Sequence, residues 1–270
     1  MNSPTAPSAA GSHIWKALGI GVLAGFLSGL FGVGGGILMV PMMVLLMKFN
    51  QKLASGTSLA AVLPIAISGV VGYQIDHKID WPVAVLISIG AIVGAQLGAK
   101  FLHQLPTHII TILFIFFLLI SAVRLFFPNP EAAGRIDLTV FSVIAFIALG
   151  VFSGILAGLL GVGGGIIMVP AMILFAGLGS AVAKGTSLVV MIPTAISGTW
   201  RNVKNGNCDL RTAVPLGIAG MLTAFAGAAV SVRMSDDLAN ILFATLLVAV
   251  AIKLGFDLRK QRAEHKAATA

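Results

Sequence analysis

Charged residues are absent from long stretches of this chain. Ala17 to Met47, Leu53 to Ile75, Trp81 to Ala99, Ile109 to Val123, Leu138 to Ala183, Gly185 to Trp200, Thr212 to Val232 and Leu238 to Ile252 contain no Asp, Glu, Lys or Arg. A helix rising about 1.5 Å per residue needs roughly 20 apolar residues to cross a 30 Å hydrocarbon layer. The runs therefore predict membrane-crossing helices. The two longest must each hold more than one segment, because Leu138 to Ala183 as a single helix would extend to about 69 Å. Gly161-Val162-Gly163-Gly164-Gly165 interrupts it where helix propensity is lowest, and Ala17 to Met47 breaks likewise at Gly32-Val33-Gly34-Gly35-Gly36.

The chain is written twice. Gly34 pairs with Gly163, Pro41 with Pro170, Gly56-Thr57-Ser58-Leu59 with Gly185-Thr186-Ser187-Leu188, Pro64 with Pro193 and Asp80 with Asp209, all at an offset of 129 residues (163 − 34, 185 − 56, 193 − 64). A gap-free repeat of this length is the mark of two structurally equivalent halves. Pro128 to Asp137 reads as the linker between a first membrane repeat over 14–127 and a second over 138–256. Residues 1–13, rich in Ser, Pro and Ala, read as a disordered tail without the basic start or cleavage pattern of a signal peptide. Residues 257–270 read as a basic tail.

Loop charge sets the orientation, since Lys and Arg gather on cytoplasmic loops. Lys253, Arg259, Lys260, Arg262 and Lys266 place the C-terminal tail inside, and Arg201, Lys204 and Arg211 place the loop at 201–211 inside. Its equivalent in the first half, Asp76 to Asp80, has two acids and one lysine and reads as external, whereas Lys48, Lys52 and Lys100 read as internal. Equivalent loops fall on opposite sides. The expectation is an all-α polytopic membrane protein of two inverted repeats, about five transmembrane or broken segments each, with both termini cytoplasmic. The first five are Ile14 to Phe31, Ile37 to Met47, Leu53 to Tyr73, Val83 to Phe101 and Ile109 to Phe127; their partners begin near Leu138, Ile166, Val182, Thr212 and Leu238. The two halves are expected as matching bundles that meet at the glycine breaks.

Composition agrees and narrows the classes. Hydrophobic residues make up 58% and charged residues 10%, against about a quarter charged in soluble proteins. Mean hydropathy is +1.03. Soluble enzymes and DNA-binding folds are disfavoured, and the net charge of +8 marks membrane orientation, not a nucleic-acid partner. The single cysteine, Cys208, excludes an internal disulfide framework or thiolate metal cage. No nucleophile, base and orienter set or metal-ligand cluster is legible, so neither catalysis nor a cofactor is expected.

The candidate chemistry lies in the repeated motifs. A helix interrupted at membrane depth leaves backbone N–H groups that lipid cannot satisfy, so the break must face protein or a cavity. At the start of the helix after Gly34, Gly35 and Gly36, free amides and the positive dipole end make an anion cradle, mirrored by Gly163, Gly164 and Gly165. Thr57, Ser58, Thr186 and Ser187 add hydroxyl donors near the next span. Small residues also serve close helix packing, the competing reading of the same positions. Arg201, beside Trp200, matches an oxyanion geometrically or anchors topology. Gln96 faces either the pathway or a neighbouring helix. No Asp or Glu lies inside a predicted span, His77, His103 and His108 fall in loops or at span ends, and Cys208 reads as a bystander. The stripes Gly21-x-x-x-Gly25-x-x-x-Gly29 and Gly150-x-x-x-Gly154-x-x-x-Gly158 suit internal packing, with a homodimer face as the alternative.

Two copies of Gly-Val-Gly-Gly-Gly-Ile-x-Met-Val-Pro, at Gly32 to Pro41 and Gly161 to Pro170, each followed by Gly-Thr-Ser-Leu, resemble the sulfite exporter TauE/SafE family of membrane permeases. The resemblance runs from about Ile14 to Phe256. It implies a multi-pass transporter in the bacterial inner membrane for small sulfur-containing anions such as sulfite, sulfoacetate or other organosulfonates, with the glycine breaks and Thr-Ser pairs flanking the path. The expected partners are a small anion and the lipid bilayer. A passive anion channel, or a carrier of small carboxylates, is the alternative.

Overall fold

A computed structural model describes residues 7–101, 107–126, 139–160 and 163–269. Its elements are ten helices: α1 Pro7–Phe31, α2 Gly36–Met47, α3 Gln51–Ile75, α4 Trp81–Phe101, α5 Thr107–Phe126, α6 Val140–Leu160, α7 Gly165–Ala176, α8 Ser180–Lys204, α9 Leu210–Arg233 and α10 Asp236–Thr269. Five fall in each half, at the expected segments. α1 starts at Pro7, where a proline suits the first helical position because its missing N–H has no partner there anyway. Part of the stretch read as a tail is thus helical. The expected linker at 128–137, His103, Gly161 and Val162 lie outside the described residues.

Six helices among the described residues are long and apolar enough to cross a membrane, and the protein is an all-helical, multi-pass membrane protein. α2 and α7 differ. Each has 12 residues, about 18 Å of helix, and neither crosses alone. The α1–α2 pair folds back on itself: the Lys16 ammonium donates to the Leu46 carbonyl at 3.0 Å, so the end of α2 lies beside the start of α1.

The halves are interlocked. α1 packs chiefly on α9, and α4 on α6, so the first helix of each half lies against the fourth of the other. Small residues make this possible. Gly21, Gly25 and Gly29 press α1 onto the backbone of α9 at Leu216, Gly220 and Ala224, while Gly150 and Gly154 press α6 onto α4 at Ile87 and Ala91. Thr223 and Tyr73 reinforce α1 by donating to the Val22 carbonyl at 2.9 Å and the Gly29 carbonyl at 2.7 Å. The expected internal role of both stripes is what Gly21, Gly25, Gly29, Gly150 and Gly154 perform; the side of Gly158 is outside the described residues.

The equivalent helices α3 and α8 lie side by side and run antiparallel. Gly69 meets Leu188 and Gly198 meets Leu59, two contacts related by the repeat offset, while Gly56 near the start of α3 meets Asn202 near the end of α8. Around this pair sits a core that includes Val62, Ile65, Leu188 and Met191, all with little or no exposure.

Candidate functional site

The glycine breaks fold to the centre of the molecule. Gly34 and Gly35 have φ of +77° and +68°, and Gly163 and Gly164 have +79° and +77°, the left-handed region that costs an L side chain about 1–2 kcal/mol. A Cβ on either Gly34 or Gly163 would meet the same two side chains, Met191 and Val62, which are themselves repeat partners and fully buried. Gly165 abuts the Gly32 carbonyl and the Val33 backbone. The two breaks therefore touch, and α2 and α7 start there with their N-terminal ends together.

Neither helix start has a side-chain cap. The first hydrogen bonds to the N-cap carbonyls come from Leu38 and Met39 in α2, and from Ile167 and Met168 in α7. Among the described residues, the amides of Gly35, Gly36 and Ile37 have no acceptor. Unpaired N–H groups of this kind, at the positive end of a helix dipole, favour an anion.

A cleft of about 270 Å³ reaches this place from one face. Its walls are mostly apolar, formed by α2, α10 and Phe114 of α5; Gln51, Lys253 and Asp257 stand at its polar mouth, and Gly36 is among its lining residues. The halves are unequal here. Ile37, Leu38, Pro41 and Met42 of α2 are partly exposed, whereas Gly165 to Met172 of α7 are all buried. One half-helix is open to a cleft while its repeat partner is sealed.

Of the hydroxyls expected beside the path, Ser187 reaches the break: it bonds the Gly32 carbonyl at 2.6 Å and its own helix at the Lys184 carbonyl at 2.7 Å. Ser58 is buried and bonds the Ser55 carbonyl at 2.8 Å. Thr57 and Thr186 sit at the two ends of the α3–α8 pair. Thr57 accepts from the Asp209 amide and Thr186 from the Asp80 amide, each at 3.0 Å, and the two bonds are equivalent under the repeat. Each clasps the loop of the opposite half. Arg201 and Gln96 come together at an exposed edge, with the guanidinium 3.4 Å from the Gln96 carbonyl, and neither joins the buried centre. The neighbouring Trp200 ring carries the Lys204 ammonium at 3.7 Å, an arrangement suited to an interface.

Replacing Thr57 or Thr186 with valine keeps the shape but removes the acceptor for a partly buried amide, at a cost of about 1–3 kcal/mol. Each variant is expected to melt below the wild type in detergent, and the double variant to lose about the sum, since the clasps share no partner. An unchanged melting temperature in the double variant would contradict the clasp.

Sequence reasoning missed Lys184. It is 1% exposed, its backbone packs on Gly32, and its ammonium lies 3.3 Å from the Ser231 hydroxyl and 6.0 Å from the Phe31 ring centre. The available signal was its isolation: one charge between the uncharged runs Leu138 to Ala183 and Gly185 to Trp200. Its repeat partner is Ser55, so symmetry did not flag it.

Crossing helices, two half-helices meeting at unpaired amides and a cleft leading to them define a multi-pass membrane protein of the transporter class. Residues 146–270, most of the second half, match the family described as Sulfite exporter TauE/SafE. The likeness to the TauE/SafE family is carried by the second half of the chain. It is 24% identical to the probable membrane transporter protein YunE of Bacillus subtilis across 88% of this chain and 96% of that protein. A probable membrane transporter protein of Xylella fastidiosa is 27% identical across 87% and 92%, and one of Haemophilus influenzae is 32% identical across 59% and 60%.

Proposed function

We propose that the protein is a carrier of small sulfur-containing anions, sulfite and organosulfonates such as sulfoacetate among them, working in the inner membrane by alternating access between two inverted repeats. The observation that carries this reading is the cleft lined in part by Gly36, beside amides for which no acceptor lies among the described residues. An oxyanion there gains N–H donors and a helix dipole without a change of protein charge. Antiparallel α3 and α8 support inversion, because equivalent helices that point oppositely put equivalent loops on opposite faces. By loop charge both termini are cytoplasmic, and the cleft, with Lys253 at its mouth, opens to that side. The sealed state of α7 favours a carrier over a continuous pore.

Counterflow in reconstituted vesicles tests the reading. Vesicles loaded with unlabelled sulfite or sulfoacetate are expected to accumulate the labelled anion with saturation, and empty vesicles to accumulate far less. Current that rises linearly with concentration and shows no counterflow would identify a channel, and absence of flux for sulfite, sulfonates and carboxylates alike would end the anion-carrier reading.

A further inference from the structure

Lys184 makes a second feature on the far side of the breaks from the cleft. Gln51 at the cleft mouth begins α3, whereas Tyr73, near the other end of α3 and roughly 33 Å along it, packs against Gly185, the residue next to Lys184. An ammonium has three N–H donors and no acceptor capacity. Among the described residues, Lys184 has one side-chain hydrogen bond, a neutral one, and no ion pair. Asp236, the acid that acts on it, does not come within salt-bridge distance. An isolated charge is expensive to bury unless something compensates it, and an ionisable residue at membrane depth is a functional position by default.

The surroundings are also short of partners. Ser180 precedes Lys184 by one turn, on the same face of α8, and its hydroxyl is buried without a hydrogen bond; so is that of Ser28, one turn before Phe31 on α1. The fold itself does not demand a cation here, because the equivalent position in the first half is Ser55. A buried positive charge against the first break, with unpartnered buried hydroxyls one turn away on its own helix and on α1, is what an oxyanion would complete.

We propose that Lys184, with Ser180, Ser28 and Ser231, forms a second anion-binding position that takes the transported oxyanion after it leaves the helix N-termini. This rests on the anion-carrier reading above. The ammonium supplies a charge-assisted bond and the hydroxyls complete the oxygen shell. Since the first half has no counterpart, the charge favours the anion on the sealed side.

The test compares the wild type with Lys184→Met, Lys184→Arg and Ser180→Ala in vesicle counterflow of labelled sulfite and sulfoacetate, with sulfite-induced thermal stabilisation in detergent as a second readout. Lys184→Met is expected to fold, since an apolar side chain of similar volume replaces a buried charge at little cost. It should raise the half-saturating concentration by about tenfold or more and weaken the thermal shift, and Lys184→Arg should recover most of the loss, as suits a charge-assisted contact. Ser180→Ala should raise half-saturation by about threefold through loss of one neutral hydrogen bond, and it decides the matter even if Lys184→Met does not fold. Half-saturation equal to the wild type in Lys184→Met, or in Ser180→Ala should the former fail to fold, with the wild type active, overturns the Lys184 site alone. A wild type that neither moves nor binds either anion removes the carrier reading and this site with it.

Discussion

Replacing Gly29 or Gly154 with valine is expected to leave no folded protein. A Cβ at Gly29 would fall on the Ala224 carbonyl and one at Gly154 on the Ala91 carbonyl. Both obstacles are backbone, so no side-chain rotation relieves them. Overpacking a core commonly costs about 1–3 kcal/mol, and the cost here should exceed that because a whole helix must retreat from its crossing. The α1–α9 and α4–α6 crossings are also what interlocks the halves, and within lipid close packing is the main force holding helices together. Gly19 is the control: nothing stands within 4 Å of a Cβ there, and alanine should be neutral or stabilise α1 by roughly 0.5–1 kcal/mol. Size-exclusion chromatography of tagged variants reads the result as loss of the monodisperse peak in Gly29→Val and Gly154→Val and its retention in Gly19→Ala. A normal peak for Gly29→Val would mean that α1 and α9 do not approach so closely.

These crossings show which parts of the fold were legible in the sequence. Glycines four residues apart share one helix face wherever the helix sits, so the stripes could be read directly, as could the repeat and the breaks. The partner of each stripe could not. A repeat suggests two bundles side by side, whereas α1 packs on a helix of the other half, a pairing set by which surfaces fit. The acceptor role was equally hidden: Thr57 and Thr186 were expected as donors near an anion, and their oxygens also accept from the Asp209 and Asp80 amides. Lys184 was missed because its surroundings come from α1, α3 and α9, residues far away in the chain.

The inequality of α2 and α7 gives the other large expected effect. Ile37 and Ile166 are repeat partners, yet Ile37 lines the cleft and Ile166 is 1% exposed. A thiol reacts with a water-borne maleimide only where water reaches it and the thiolate forms. Cysteine at Ile37 should therefore label to near completion from the cleft side, and cysteine at Ile166 hardly at all. The native Cys208 is a slow competitor, since burial and then the Asp209 charge push its thiol pKa up; its thiolate fraction is small near neutrality and grows as pH rises, and Cys208→Ser removes it. If the halves exchange conformations during transport, an outward anion gradient should protect Ile37→Cys and expose Ile166→Cys to reagent on the opposite face. The repeat requires this reciprocity: once α7 opens it should present the surface that α2 presents now. Simultaneous labelling of both positions from one side would describe a continuous pore, and permanent protection of Ile166→Cys under every gradient would mean that the resemblance between the halves is a relic of ancestry without a part in the transport cycle.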